Sequence, residues 1–459
     1  MQLFGRTEIL SPVAQITRDN IAEVLRNSMA IHAKNSREID YLYNYRKGLQ
    51  PVLGRVKEVR PNINNKVVEN HASAIASYIA GYSFGEPVSY VRYGDRTAAS
   101  AGIDRLNEIM YGCDKATHDA EMANWMATCG VAYRMVLPVW DEASDLPIMI
   151  DTPDPRSTFV VYQAGFGKRP LMAVRQYLRE IDGAFVVVAC CYTDTHYAEV
   201  ETRSYAILKW EPHGLGQLPI IEYRLNTMLM GAFEPAVPLL DAINLLASNR
   251  MDGVENFVQS LMKFVNCDID AERLQELLKL GAVKVKSSEG LPADVQFMTQ
   301  ELNQQQTQTF VDYLYAQVLN ICGMPTTTKG GASTSDTGNA VYLRDGHAAT
   351  YTRARDTEQL FKRSERHFIK LVLDLLGDTV DLKVLEVDCK FTRHQNDNLL
   401  TKTQSLLHML EAGLNPEVAI ATCALFNDPM DVTMRSQPFL RKWDYIDMTE
   451  EPDEPVRTV

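Results

Sequence analysis

The sequence predicts an α+β fold that is predominantly helical, and three features support this prediction. Between positions 131 and 225, short apolar runs alternate with turn residues, which is typical of an antiparallel sheet. Ahead of this region and after position 238, apolar residues recur every three or four positions, which indicates amphipathic helices. Segment 323–338 has no large apolar residue after Met324 and predicts a flexible loop between two of these helices.

Helices are predicted ahead of the sheet over residues 17–47, 66–83 and 103–126. The second of them ends in the glycine-punctuated segment 80–90. The strands that follow are predicted over residues 131–140, 147–153, 157–163, 171–178, 184–192, 198–210 and 219–225. Because turn residues such as Gly165-Phe166-Gly167 separate successive strands, the first half of the chain is expected to contain a meander-like sheet.

The second half opens with a long helix, predicted over residues 238–265, about 40 Å in length at 1.5 Å per residue. Its apolar residues form a seam with a spacing of three to four positions. The seam residues are Leu239, Ile243, Leu246, Val254, Phe257 and Leu261. One subunit does not cover so long an apolar face, so the seam indicates packing between subunits.

A small unit of a helix and two strands follows this helix, and further helices complete the chain. The unit comprises a helix over 271–280 and strands over 282–286 and 294–298. The remaining helices are predicted over 303–322, 338–376 (with a kink at Gly346), 397–411 and 416–425. The middle of the 338–376 helix is too charged for a sustained coiled coil, so a helix that crosses between two parts of an assembly fits better.

The net charge of −13 limits the functions that the chain can have. Affinity for duplex DNA comes mostly from Lys and Arg, so the net charge argues against a protein that binds DNA tightly. No apolar run approaches the length of about 18 residues that spans a bilayer, and the N-terminal sequence does not resemble a signal peptide. We therefore expect a cytoplasmic protein without membrane contact. Residues 444–459 contain six acids and a single arginine, and predict a disordered tail.

Cysteine spacing indicates buried, reduced thiols rather than disulfides or metal ligands. None of the eight cysteines forms a C-x-x-C pair. Cys190 and Cys191 are adjacent in an apolar strand, where neighbouring side chains point to opposite faces of the sheet, so they do not pair easily.

A search for catalytic motifs finds none, so no catalytic residue, metal site or cofactor is predicted. The segment GFGKRP at 165–170 lacks the spacing of a phosphate-binding loop and is interpreted as a hairpin turn. No histidine pair has zinc-binding spacing, and no G-x-S-x-G motif is present. Solvated side chains in polar turns are predicted for His196, His213 and His394. Glu142, Asp151 and Asp154 are acidic neighbours in sequence, and turn-forming Asp next to proline explains two of them.

Six segments, in the correct order, resemble portal proteins of tailed phages of Gram-positive hosts. The longest is EVRPNINNKVVENHASAIASYIAGYSFGEPVSY at 58–90. The others are the stretch with Tyr43, Tyr45 and Gly48, then GVAYRMVL, HGLGQLPIIEYRLN, PLLDAINLLASN and SDTGNAVYLRD. The resemblance covers about residues 38–435, although the family has Ser-Gly where this chain has Thr337-Gly338.

The resemblance implies an elongated portal fold, with parts assigned by position. Residues 1–235 would form the wing, 236–265 the first stem helix, 266–302 the clip, and 303–323 the second stem helix. Residues 324–337 would form the tunnel loop, 338–390 the long helix and wing return, 391–443 the crown, and 444–459 the acidic tail. The tunnel-loop residues expected to face DNA are Thr326, Thr327, Thr328, Lys329, Gly330, Gly331, Ser333, Thr334 and Ser335.

The resemblance also implies a function and partners. Such a chain would form a closed ring, with twelve subunits in the virion, at one vertex of the capsid. Double-stranded genomic DNA would pass through the ring transiently and without sequence specificity. The implied partners are the large terminase subunit, the scaffold and major capsid proteins, and head–tail connector proteins. Two alternatives remain: a head or head–tail structural protein without a DNA channel, and a packaging enzyme, for which the motifs are missing.

Overall fold

The fold is described from a computed structural model. It describes residues 5–58, 61–93, 100–139, 146–181, 183–258, 261–265, 294–298, 304–325, 347–391, 399–423, 425 and 429–436. The α-helices are α1 Ile21–Arg46, α2 His71–Phe84, α3 Ser100–Gly112, α4 Lys115–Cys129, α5 Val237–Val258, α6 Gln304–Cys322, α7 His347–Leu376, α8 Leu399–Glu411, α9 Pro416–Cys423 and α10 Pro429–Ser436.

The strands of the described residues form two larger sheets and two strand pairs. They are β1 Ile9–Ser11, β2 Ser89–Arg92, β3 Val131–Pro138, β4 Ile148–Asp151, β5 Thr158–Gln163, β6 Pro170–Ile181, β7 Ala184–Tyr192, β8 His196–Glu201, β9 Ile207–Pro212, β10 Ile220–Arg224, β11 Leu261–Val265, β12 Asp294–Met298 and β13 Val387–Lys390. The six-stranded sheet has the order β1-β5-β6-β7-β8-β9, and the three-stranded sheet has the order β10-β3-β4. From β5 to β9, consecutive strands pair antiparallel, which confirms the predicted meander.

Two hydrophobic cores hold these elements together. In the smaller core, Ile21 and Leu25 of α1 pack on the six-stranded sheet, against residues such as Phe159 and Val174. The larger core joins α2 to α7 with the three-stranded sheet. Helix α7 contributes an apolar stripe to this core, formed by Phe361, Phe368, Leu371, Val372 and Leu376. The sequence predicts that this helix crosses between two parts of an assembly. In the structure, α7 packs in the core of the subunit.

A network of buried charges lies inside the larger core, where α4, β3, β10 and α7 meet. Arg134 of β3 forms ion pairs with Glu365 of α7 at 2.9 Å and with Asp119 of α4. Lys115 lies 2.5 Å from Asp119 and 3.2 Å from Glu365. Because every member is matched by an opposite charge, the network satisfies the condition under which ionised groups are tolerated in an apolar interior.

Two predicted elements are each divided in the structure. The helix predicted over 103–126 is instead two helices, α3 and α4, because Asp114 between them adopts a left-handed conformation with φ of 51°. The strand predicted over 198–210 is a hairpin of β8 and β9, and its turn contains Tyr205 at φ of 59°. Neither residue is a glycine, although Asp is one of the residue types enriched at positive φ and Gly112 ends α3 just before Asp114.

The helix predicted over 238–265 is wrong in its last part. Helix α5 ends at Val258, and Leu261–Val265 form strand β11, which pairs antiparallel with β12. The helical spacing of the apolar residues does continue to Val265 in the sequence. Here, however, pairing with Asp294–Met298 satisfies the backbone in an extended form, and this tertiary contact decides the conformation. The predicted helix 271–280 and strand 282–286 lie outside the described residues.

The described cysteines and histidines agree with a structural role. Every described cysteine is buried and unpaired, as predicted. Burial raises the pKa of Cys129 to about 12, so this thiol stays protonated. The two described histidines that were assigned to solvated positions are more enclosed than expected: His196 stacks on Trp210, and burial lowers the pKa of His213. Within the described part of the chain, every helix is too short or too polar to span a bilayer.

Candidate channel-forming site

The predicted tunnel-loop residues Thr326–Ser335 lie outside the described residues, but both flanks of this segment are described. One flank is the end of α6 with Gly323, Met324 and Pro325, and the other is the start of α7 at His347. We therefore describe the site by the contacts between the end of α6 and the start of α7.

Helix α6 ends in a Schellman motif. Gly323 adopts a left-handed conformation with φ of 67°, and its N–H donates to the carbonyl of Asn320 at 3.1 Å. The N–H of Met324 donates to the carbonyl of Leu319 at 2.9 Å. This pair of bonds satisfies carbonyls that a helix end leaves without intrahelical partners. The direction in which the chain leaves α6 is thereby fixed.

The first turns of α7 bind the end of α6 directly. The hydroxyl of Thr350 donates to the carbonyl of Gly323 at 2.6 Å, and Arg353 Nη1 donates to the carbonyl of Ile321 at 2.8 Å. A guanidinium at the carbonyl end of a helix is also favoured by the helix dipole. The two flanks of residues 326–346 are therefore joined to each other, so this segment starts and ends at one base.

Glycine is favoured at position 323. A Cβ atom there would lie 2.6 Å from the Arg353 side chain, which would have to shift, and the positive φ is itself unfavourable for other residues. The sequence predicts a loop that starts at this glycine but contains no signal for its contact with Arg353, since 30 positions separate the two residues. We refer to Gly323, Thr350 and Arg353 as the loop base.

The predicted stem seam is divided along α5. Ile243 is fully buried, and Leu239 and Leu246 pack partly buried against the same core, so these residues have partners within the subunit. Val254, on the same seam, is 48% exposed. Phe257 has no described side chain, and Leu261 lies in β11 rather than in the helix. Val254, the last seam residue of α5 whose side chain is described, is therefore only about half covered within the subunit.

Helix α6 carries an exposed apolar stripe of its own. Val311, Leu314 and Val318 face the core. The stripe beside them consists of Phe310, Tyr313 and Ile321, which are 51%, 57% and 39% exposed. Exposed apolar patches of this kind on helices commonly mark surfaces that a second molecule covers.

The opposite face of α5 binds an extended segment, residues 64–69, which we call the strap. The N–H groups of Asn65, Val67 and Glu69 donate to side-chain oxygens of Asp252, Ser248 and Asn244, at 2.7, 2.9 and 2.8 Å. Two extended residues advance about 6.6 Å, and four helical residues advance about 6 Å. This near match lets every second strap residue meet every fourth helix residue, with the two segments antiparallel.

Asp252 also receives two cations at the end of the strap. Its Oδ2 lies 3.0 Å from Arg55 Nη1 and 2.9 Å from Lys57 Nζ. Burial of this carboxylate opposes ionisation, but the Asn65 N–H and the two cations outweigh burial and hold the pKa of Asp252 below its ordinary value. The strap is thereby held by both hydrogen bonds and ion pairs.

The acidic residues Asp151 and Asp154 each have an ion-pair partner in the structure. Asp151 pairs with Arg175 at 2.9 Å, and Asp154 pairs with Arg156 at 2.6 Å. Glu142 and His394 lie outside the described residues. Among the residues that the structure describes, no group of three or more His, Cys, Asp or Glu side chains is arranged to hold a metal ion.

Comparison with known proteins identifies the family. The sequence model described as "Phage portal protein, SPP1 Gp6-like" matches residues 26–428, which is most of the chain. The chain belongs to this phage portal protein family. The portal protein of Bacillus phage SPP1 is 24% identical over 394 residues, covering 79% of this chain and 73% of that protein. The resemblance that the sequence motifs indicated is confirmed.

Two solved structures from gene transfer agent (GTA) particles are also similar. One, titled as the neck of an empty particle computed with C6 symmetry, has a TM-score of 0.45 and 13% identity, and covers 77% of this chain and 90% of the solved chain. The other, titled as the virion of a native particle, has a TM-score of 0.42 and 13% identity, with 77% and 89% covered.

The portal segments recognised in the sequence have identifiable structural roles. The strap lies in the longest of them, at 58–90. Tyr45, from the first of them, is fully buried and donates to Asp241 of α5 at 2.9 Å, and Gly48 closes α1 at φ of 94°. Tyr223 donates to Glu365 at 2.5 Å within the buried network. In this portal protein, these segments therefore hold the body of the subunit together.

Proposed function

We propose that the chain forms a closed portal ring at one vertex of the capsid, through which double-stranded genomic DNA enters and leaves. Membership of the portal family carries this proposal. The exposed apolar residues of α5 and α6 support it, because within the described part of one subunit they are only partly covered, while in a ring each subunit would cover those of its neighbour. Twelve chains of 51.7 kDa would weigh roughly 620 kDa.

Ring formation is tested with two exposed phenylalanines at different positions, of which Phe310 is 51% exposed and Phe166 is fully exposed. Phe310 lies on the stripe of α6, and Phe166 lies at the tip of the β5–β6 turn. We expect Phe310→Glu to raise the concentration needed for assembly at least tenfold, since it places a charge in the subunit interface. Phe166→Glu is the matched control and should assemble normally. Light scattering that showed a stable wild-type monomer at micromolar concentration would refute the ring.

We further propose that the segment held at the loop base lines the channel. Apart from Lys329 and Asp336, residues 326–337 are small and uncharged. They therefore offer few contacts that DNA would have to break as it moves. The net charge of −13 serves the same requirement for a passive conduit. Packaging energy would come from a separate ATPase, the large terminase subunit. Scaffold, major capsid and head–tail connector proteins would bind the same ring.

The isolated protein is expected to have neither ATPase nor nuclease activity. Steady hydrolysis that survived repurification, and disappeared after a point mutation in this chain, would favour a packaging enzyme instead. A head or head–tail protein without a channel differs from a portal in copy number. One ring per particle, counted in electron micrographs of assembled heads, would support the portal, and hundreds of copies would support a shell protein.

A further inference from the structure

A groove of about 740 Å³ lies between the turn that joins β5 to β6, strand β10 and the middle of α7. Its size is in the range of sites that bind small ligands or short peptide segments. Along α7, Arg363, His367 and Lys370 line it, and their spacing of four and three residues places them on one face of the helix. Lys168 and Arg169 line the opposite wall. We call this site the basic groove.

The cations of the two walls differ in whether they have partners. On the turn side, Lys168 pairs with Glu8, and Arg169 pairs with Asp194 at 2.8 Å. On α7, Arg363 and Lys370 are exposed, and neither forms an ion pair with any residue that the structure describes. The groove therefore presents unneutralised positive charge within a chain of net charge −13. Partial desolvation and these two neighbouring cations together lower the pKa of His367, which agrees with a positive local potential.

Apolar side chains are also accessible in the basic groove. Leu218, Ile221 and Leu360 line it and are only partly buried. A ligand that fits both features would carry negative charges interleaved with apolar groups. Duplex DNA, with a charged backbone on its outside and no accessible apolar side groups, matches the cations but not this lining.

We propose that the basic groove binds residues 444–459 of this chain. This segment contains Asp444, Asp447, Glu450, Glu451, Asp453 and Glu454, and its first part interleaves them with Tyr445, Ile446 and Met448. The 23 residues that follow Ser436 span up to about 80 Å when extended. The proposal concerns a contact within the portal chain and does not depend on the function of the ring.

Peptide binding provides the first test. A fluorescein-labelled peptide of residues 444–459 is titrated with protein that lacks these residues, and anisotropy is measured. We expect saturable binding in about 50 mM salt that weakens at least tenfold as ionic strength rises and screens the charges. The variant Arg363→Glu/Lys370→Glu should lose at least tenfold in affinity. The matched control, Arg355→Glu/Arg366→Glu, changes two exposed arginines of α7 outside the groove and should bind normally.

Crosslinking of the full-length protein provides the second test. A zero-length carbodiimide reagent should join Lys370 to carboxylates of residues 444–459, and mass spectrometry should detect the joined peptides in the wild type but not in Lys370→Arg. The absence of peptide binding at low salt, or binding that is indifferent to Arg363 and Lys370, would overturn the proposal. So would a short DNA duplex that bound the groove in place of the peptide with the same dependence on these two residues.

Discussion

Arg134 Nη1 lies 3.0 Å from one carboxylate oxygen of Glu365 and 2.9 Å from the other, although the two residues are 231 positions apart in the chain. Neither side chain has any exposed surface. Tyr90 and Tyr223 donate to the same carboxylate at 2.6 and 2.5 Å. One carboxylate of α7 therefore fixes the position of this helix against β2, β3 and β10.

Glu365→Ala should destabilise the protein by about 3–5 kcal/mol, because it leaves the Arg134 guanidinium buried with part of its compensating charge removed. Urea denaturation followed by circular dichroism measures this loss. The control is Glu108→Ala, which removes the exposed Arg105–Glu108 pair and should cost less than about 1 kcal/mol. A comparable loss of unfolding free energy in both variants would mean that the buried Arg134–Glu365 pair matters no more for stability than the exposed Arg105–Glu108 pair.

The stability of the protein should fall in acid in a manner that depends on Glu365. Burial opposes ionisation, but Arg134 and Lys115 outweigh burial and lower the pKa of Glu365 to about 2, from an ordinary value of 4.5. Since the folded-state pKa is the lower one, the contribution is complete above pH 4.5 and is lost as pH falls towards 2. The free energy of unfolding, measured from pH 6 to pH 2, should therefore fall more steeply with decreasing pH in the wild type than in Glu365→Gln. Parallel curves would contradict this assignment.

Ser248→Ala should loosen the strap without unfolding the subunit. The substitution removes the acceptor for the N–H of Val67, which is left partly buried, at a cost of about 1–3 kcal/mol. Hydrogen exchange at Val67 should become faster, while amides of the six-stranded sheet keep their rates. Thr309→Ala removes an exposed hydroxyl from α6 and serves as the control. Unchanged exchange at Val67 in Ser248→Ala would show that the strap is held by other contacts.

Gly323→Ala should lower the stability of the protein by more than the cost of placing alanine at a positive φ. Gly413 has a similar positive φ, of 82°, but an added Cβ there meets no atom within 4 Å. Gly413→Ala therefore reports the conformational cost, about 1 kcal/mol, and Gly323→Ala adds the collision with Arg353. The difference between the two variants in thermal unfolding measures that collision. Equal losses would mean that the Arg353 side chain moves aside freely.

Shortening residues 326–337 by several positions should leave ring assembly intact while DNA packaging fails, because these residues contain no large apolar side chain but would line the channel. Lys329→Glu should be milder, since one charge per subunit is screened within about 10 Å at moderate salt. Packaged DNA is measured by nuclease protection in assembled heads. Full-length genomes at normal yield in the shortened variant would make this segment an ordinary linker.

The sequence predicted local elements better than it predicted the contacts between them. Short apolar runs alternate with turn residues between positions 131 and 225, so the meander could be predicted from the sequence. The division of 103–126 depends on the left-handed conformation of Asp114, a residue that does not require it. The end of α5 depends on pairing with strand β12, about 30 positions away.

The site shows the same limit. Glycine, threonine and serine content predicts a loop at residues 326–337, because these residue types are typical of such segments, and this prediction lies outside the described residues. Nothing in the sequence connected Gly323 with Arg353, or Arg134 in an apolar strand with Glu365 in a charged helix. Long-range pairs of this kind arise from tertiary packing, and a single sequence contains no periodic signal for them.

The strap has a consequence for how this chain can diverge. Its hydrogen bonds to α5 use main-chain N–H groups, so the bonds at positions 67 and 69 do not depend on which non-proline side chains stand there. The acceptors are side-chain oxygens of Ser248 and Asn244, so these bonds do depend on which residues stand at positions 244 and 248. Substitutions should therefore accumulate unevenly across this contact, with drift tolerated on the extended partner and restricted on the helical one. A proline at either strap position would be excluded, whatever its polarity.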